Sequence, residues 1–239
     1  MAWLRYREAH IHEEDENSFV ISISDLMAGL LSVFILTLAY YILNFSQATA
    51  QLTDNDVKRA AILNSIKEEL KKNGIEVKID TDHGVLHLPE GILFDPGEAQ
   101  IKEEGIRLIK ILAPVLNDIL RREEYKGSVE TIFIEGHTDN IPINTPRFAS
   151  NWELSTQRAI NTWNTLAQTT PELCELKNRQ EQYIFSCSGY ADTRPIRPNS
   201  NETTEGRKEN RRIDLRFTMT PPSREEAGII KEVRRQLDR

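Results

Sequence analysis

Hydrophobic positions along this chain change their rhythm three times. Residues 18–45 read SFVISISDLMAGLLSVFILTLAYYILNF, an almost unbroken apolar run with Asp25 as its one ionisable residue and no proline. A membrane-spanning helix needs roughly 20 mostly apolar residues, so this stretch predicts a single span. No other window comes near it. After residue 53 the spacing becomes helical: Ile62, Leu63, Ile66 and Leu70 share a face, Thr53 or Asp54 offers a cap, and Asn73-Gly74 a stop. That face is expected to bury against the rest of the chain or against a twin helix in a dimer.

Beyond residue 75 strand and helix signals alternate. Residues 75–80 (IEVKID) alternate as a strand, 82–84 (DHG) turn the chain, and 85–88 return. Residues 101–121 have a helical apolar side made of Ile106, Leu108, Ile109, Leu112, Leu116 and Ile119, with Pro114 expected to kink it. Residues 131–135, 183–188 and 212–218 read as strands and 152–168 as a helix. The order predicts one transmembrane helix followed by an α/β (α+β sandwich) domain, with helices on one face of a small mixed sheet. The expected organisation is a cytoplasmic tail (1–17), the span (18–45), a linker and helix (46–74) whose 46–54 part is irregular, the α/β domain (75–222), and a charged tail (223–239). Trp3, Leu4 and Tyr6 of the first tail would touch the membrane surface or a partner, and the last tail would form an amphipathic helix.

Composition narrows the class. With 39% hydrophobic and 28% charged residues, the chain is too polar for a polytopic membrane protein and too apolar for a disordered one. Two cysteines are too few for a disulfide scaffold. A net charge of −7 argues against nucleic acid as a partner. The apolar run exceeds a signal-peptide core and follows acidic residues 13–16, so an uncleaved anchor is expected, although Ala48-Thr49-Ala50 would suit a cleavage site. Arg5 and Arg7 precede the span and the first base after it is Lys58, a slight bias toward a cytoplasmic N-terminus.

A charge at mid-span costs roughly 2.5–3.5 kcal/mol, so Asp25 calls for a reason. Ser22, Ala28, Gly29, Ser32 and Ala39 fall on or near its face, with Ile23, Leu30, Val33 and Phe34 opposite. Small residues let helices approach closely in lipid. Two readings stand: a carboxylate on an ion path beside a partner helix, or a helix N-cap at the water interface after Ser24, which would leave 19–23 exposed.

Four further stretches carry chemistry: GILFDPGEAQ (91–100), IEGHTD (134–139), NWELSTQRA (151–159), and the segment from SGYAD (188–192) to EGRKENRR (205–212). IEGHTD reads as a buried strand that delivers His137, Thr138 and Asp139 to its end, where ligand sites collect. NWELSTQRA opens a helix with Asn151 as candidate cap, and Ser155 and Arg158 fall within one turn. The Asp139 carboxylate beside the Arg158 guanidinium suits a zwitterion, the acid taking an ammonium and the base a carboxylate. His137 has no second histidine or cysteine at ligand spacing, and reads as structural or at a pocket edge. No metal site, nucleophile triad, phosphate loop or dinucleotide fingerprint emerges, so neither an enzyme nor a cofactor is expected.

These motifs, in this order over residues 85–217, resemble the OmpA-like peptidoglycan-binding domain. The resemblance implies that Asp139 and Arg158 grip the free ends of meso-diaminopimelate in the peptidoglycan stem. It implies that Phe94 and Asp95, with Pro96 and Gly97, line the pocket, and that Thr138, Asn151, Leu154 and Arg211 line or support it. Ala191 stands where many members carry glycine, and the insertion 140–150 resembles the MotB branch more than OmpA. An intramembrane acid ahead of such a domain resembles MotB-type stator subunits. That resemblance implies that Asp25 carries transported H+ or Na+. It implies a homodimer inside a polytopic MotA/ZorA-like partner, usually in five copies, in the inner membrane with the C-terminal domain periplasmic and bound to peptidoglycan. The short linker and the weakly basic N-terminus look most like the ZorB branch of Zorya anti-phage systems. A flagellar MotB-type stator and a passive wall anchor are the alternatives. In a periplasmic body, Cys174 and Cys187 are open to disulfide formation.

Overall fold

The first helix, α1 (Ala2–Lys72), continues through both the N-terminal tail and residues 46–54. The irregular linker expected at 46–54 is therefore helical: its sequence, SQATAQLTD, is polar but contains neither proline nor glycine to stop a helix. This computed structural model describes residues 2–221, with side chains for 23–46 and 54–221. The expectations for Trp3, Leu4, Tyr6 and the tail 223–239 lie outside the described side chains and residues. Contacts divide the chain into two units, and each is described by itself: Leu52–Pro221, and the remainder, which holds the apolar stretch.

Ile23–Ser46 is long and apolar enough to cross a membrane. Its large apolar side chains lie exposed, as a lipid-facing surface would. Ser32 Oγ donates to the Ala28 carbonyl (2.8 Å) and Thr37 Oγ1 to that of Val33 (2.7 Å). These bonds satisfy inside the helix the hydroxyls that lipid could not satisfy. Asp25 is interior to α1, so it does not cap it. It borders a shallow concavity together with Leu26, Gly29, Leu30 and Val33. Leu30 and Val33, expected on the far side, share it. At about 100° per residue, the eight steps from Asp25 to Val33 end only about 80° from where they began.

In the second unit the end of α1 belongs to the core. Ile62, Leu63, Ile66 and Leu70 are wholly buried, which decides between the body and a twin helix. The Ile75 N–H donates to the Leu70 carbonyl (2.9 Å) and the Gly74 N–H to that of Lys71 (3.0 Å). This paired C-terminal cap is the stop that Asn73-Gly74 announced.

Five strands form one mixed sheet: β1 (Lys78–Asp80), β2 (Val85–Pro89), β3 (Val129–His137), β4 (Phe185–Gly189) and β5 (Arg212–Met219), in the order β1-β2-β5-β3-β4. Only β3 and β4 run parallel, joined by α4 (Asn151–Thr169), as a parallel pair requires a crossover. Register places Leu86 against Leu215, Leu88 against Ile213, and Ile132 against Phe217. All six pack into one cluster with α4, the end of α1 and α3 (Glu103–Leu120), so the helices cover one face, as the alternation predicted. Helix α3 runs on through Pro114. The bond this proline cannot make would go to the carbonyl of Lys110, an exposed residue whose carbonyl water can serve. The other face carries Glu135, His137, Arg212, Asp214 and Arg216, all at odds with the apolar parity.

Candidate functional site

Two glycines decide how closely α4 approaches the strand ends. A Cβ at Gly136 would lie 2.0 Å from the Ser155 carbonyl oxygen, and one at Gly189 2.2 Å from Thr156 Oγ1. Without side chains there, the first turns of α4 lie directly on β3 and β4. Ser155 Oγ then accepts the Ala191 N–H (3.1 Å), and the Ala191 carbonyl accepts the Thr138 N–H (2.8 Å). Ala191 has φ +49°, a left-handed conformation that suits glycine better than alanine.

The cap of α4 is Ser150, whose Oγ accepts the Glu153 N–H (3.4 Å), while Glu153 Oε2 accepts the Ala149 N–H (2.7 Å). This corrects the expectation for Asn151. The run Ser150-Asn151-Trp152-Glu153 is a capping-box pattern, and it places the cap one residue earlier. Asn151 instead ties down the loop after β3. Its Nδ2 donates to the carbonyls of Asp139 (3.2 Å) and Ile141 (3.0 Å), and its Oδ1 accepts the Ile143 N–H (3.2 Å).

A cavity of about 760 Å³ opens at this end of the sheet. All eight residues expected around a pocket line it: Phe94, Asp95, Thr138, Asp139, Asn151, Leu154, Arg158 and Arg211. Asp139 is 6% exposed; its carboxylate accepts from the Ile141 N–H (3.1 Å) and from Arg211 Nη1 (2.6 Å). Arg158 is 2% exposed and lies over the Phe94 ring, 5.1 Å from its centroid. Its Nε donates to the Glu98 carbonyl (2.8 Å) and Nη2 to that of Asp95 (3.4 Å). Asp95 thus serves Arg158 through its backbone, while its exposed carboxylate lies 3.9 Å from Lys102.

Glu90, absent from the expected set, joins the two arginines. It opens the short helix α2 (Glu90–Leu93) and is 7% exposed. One carboxylate oxygen pairs with Arg158 Nη1, and the other accepts from Arg211 Nε at 2.6 Å. The result is a chain of alternating charge, Arg158–Glu90–Arg211–Asp139, whose formal charges cancel. Burial lowers the Arg158 pKa, and Glu90 pulls it back up. Against burial, the bonds from Asp139 and Glu90 raise that of Arg211. Such a site can exchange its internal pairs for those of an incoming zwitterion without a net charge change. Nothing in the sequence around Glu90 marks it, since acids are seldom buried and one beside a glycine reads as solvated.

His137 does not line this cavity. It lies on the polar face of the sheet, 1% exposed, 3.4 Å from Asp214 Oδ2 and 3.7 Å from Glu135 Oε2, and it stacks on Tyr190. Glu135, His137 and Asp214 place three potential metal-ligand atoms within 4.8 Å. Both carboxylates are already taken. Arg216 holds Glu135 through Nε and Nη2 (2.9 Å each), and Arg212 Nε (2.9 Å) and His87 Nδ1 (2.6 Å) hold Asp214. The guanidinium groups supply the charge that an ion would bring, so the cluster reads as a buried ionic network. Cys174 and Cys187 are free thiols, and burial pushes Cys187 up to about 11.

Comparison with known proteins agrees with this architecture. Residues 93–211 match the OmpA family. Motility protein B of Bacillus subtilis is 33% identical over 150 residues, covering 63% of this chain and 51% of the relative. The Zorya protein ZorB of Escherichia coli is 22% identical over 213 residues, 86% of this chain and 82% of that one. A crystal structure of a MotB-like protein from Desulfovibrio vulgaris shares the fold, with a TM-score of 0.54 and 23% identity over 72% of this chain and 99% of that one. This chain spans about half the length of the motility proteins it matches. Motif order, fold and the family match together identify residues 93–211 as an OmpA-like domain, and over 150 residues the chain is similar to motility protein B.

Proposed function

We propose that this chain is the wall-anchored, ion-carrying subunit of a rotary motor in the bacterial inner membrane. In this reading the cavity at the end of β3 binds the free end of meso-diaminopimelate in peptidoglycan. The ligand ammonium pairs with Asp139 and its carboxylate with Arg158, and Arg211 passes between Asp139 and Glu90 as the ligand enters. Phe94, Asp95, Thr138, Asn151 and Leu154 shape and hold the pocket. The observation that carries the reading is the convergence of Asp139, Arg158, Arg211 and Glu90 on one cavity as a charge-balanced set.

Asp25 is the ion carrier, by reversible protonation or Na+ coordination of a carboxylate in a low-dielectric site. One elementary charge crossing 100 mV supplies about 2.3 kcal/mol. The chain enters the membrane once with its N-terminus in the cytoplasm, pairs with a second copy of itself, and sits within a ring of a MotA/ZorA-like partner. A ZorB-type role in anti-phage defence is favoured over a flagellar one by the short stretch, residues 47–77, between the span and the first strand of the domain.

The deciding experiment is binding of the full-length protein, in detergent, to free meso-diaminopimelate and to isolated peptidoglycan. Wild type is expected to bind both and Asp139→Asn neither; equal binding by the two proteins would remove the pocket assignment.

A further inference from the structure

A second cavity, of about 660 Å³, shares Pro89 and Lys208 with the first as common walls. Its lining differs in kind. Ile75, Val77, Pro89 and Ile196 give it an aliphatic surface. Lys67 and Lys71, from the last turns of α1, and Lys208, from α5 (Thr204–Asn210), stand at its border. Among the described residues, none of the ammonium groups of these three lysines has a hydrogen-bond or ion-pair partner. Of the acids that line it, Glu209 is already engaged by Lys78 (3.0 Å) and Arg197, while Glu76 and Glu205 leave a surplus of positive charge.

We propose that this cavity takes the carboxylate-bearing remainder of the same peptidoglycan stem, and that Lys208 stands where the peptide crosses from one cavity to the other. The inference rests on the reading of the first cavity as the diaminopimelate site. The two cavities then divide the ligand by charge. The first holds the charge-balanced Arg158–Glu90–Arg211–Asp139 chain and suits a zwitterionic end. The second is positive with an aliphatic surface, and suits a short acidic peptide that presents carboxylates and small methyl groups. Unpaired lysines hold carboxylates as point charges without demanding one geometry, which fits a flexible peptide better than a rigid fork would. The shared walls make the two surfaces continuous, so a single extended ligand gains both sets of contacts and orders itself once.

The test compares two probes on the full-length protein in detergent: free meso-diaminopimelate, and a disaccharide-tripeptide that ends in it. The variants are Lys71→Glu alone and Lys67→Glu with Lys71→Glu. Wild type is expected to bind the muropeptide more tightly than the free amino acid. The double variant is expected to lose about fivefold in muropeptide affinity and nothing for diaminopimelate, with the single variant between. Muropeptide binding unchanged by the charge reversals would overturn the proposal. So would a change in the mass of the protein on native mass spectrometry without a change in muropeptide affinity, since that assigns the cavity to a second copy of the chain. Failure of wild type to bind diaminopimelate at all would bring down the first-cavity reading, an outcome the lysine variants cannot imitate.

Discussion

The carboxylate of Glu90 closes on the guanidinium of Arg158 with less than a tenth of either residue exposed to solvent. Arg158, the arginine proposed to bind the ligand, is therefore already neutralised by the protein itself. An arginine buried without such a partner would cost several kcal/mol, so Glu90 is a condition for Arg158 to sit where it does.

Replacing Glu90 with Gln keeps the shape and leaves one positive charge in excess. The fold is expected to lose about 3 kcal/mol, seen as a lower midpoint in denaturant. Selectivity should shift as well: the affinity for pimelate, which has the carboxylates but no amine, should rise about tenfold relative to diaminopimelate by calorimetry. An unchanged ratio would show that Glu90 takes no part in reading the ammonium.

Asp139→Asn removes the negative charge proposed to face the ligand ammonium but leaves Arg211 its bond to Glu90. Affinity for diaminopimelate is expected to fall by at least about thirtyfold, the usual scale for truncating one member of a buried charge pair. Circular dichroism should stay as in the parent protein.

The buried network on the polar face gives the domain an acid limb. Burial by itself would raise Glu135, but the His137 imidazole close by and the hydrogen bonds from Arg216 bring it from 4.5 down to about 2. Its folded value lies below its unfolded one, so its contribution, about 3 kcal/mol, is complete above pH 4.5 and is lost as pH falls toward 2. His137 adds a second, earlier slope. Burial depresses it below 6.5, so the unfolded chain takes its proton first and stability declines as pH drops below 6.5. His137→Phe, which keeps the stacking on Tyr190, should flatten denaturation midpoints as pH drops below 6.5 and retain the steeper loss below 4.5.

Asp25→Asn should leave membrane insertion and peptidoglycan binding intact and abolish ion-driven activity in cells that carry the polytopic partner. Full activity in that strain would leave the chain as a wall anchor alone.

Gly136→Ala would push a Cβ to within 2.0 Å of the Ser155 carbonyl, a contact with backbone that no rotamer relieves. A loss of about 3 kcal/mol or more is expected, together with weaker ligand binding, because α4 must move away and take Arg158 with it.

Much of the cavity was legible because its members come in runs. HTD at a strand end and LSxxR on the helix that follows offer Asp139 and Arg158 as a pair, and the resemblance to the OmpA-like domain implied the rest of the lining. Glu90 was not legible, since an acid beside a glycine looks solvated until the fold brings Arg158 and Arg211 to it from far along the chain. The polar face was hidden for a related reason. Glu135 and His137 alternate with Ile132 and Ile134, and a period of two cannot say that both faces of a strand are buried. The helical 46–54 shows the reverse error. Polar composition suggested a linker, but nothing in that stretch breaks a helix.

The charge balance of the Arg158–Glu90–Arg211–Asp139 chain has a consequence for the wall in changing surroundings. A charge-balanced chain that accepts a neutral zwitterion exchanges pairs without drawing in or releasing counterions. Diaminopimelate binding should therefore hold nearly constant as external salt rises and falls, and a cell in dilute or briny medium would keep the same grip.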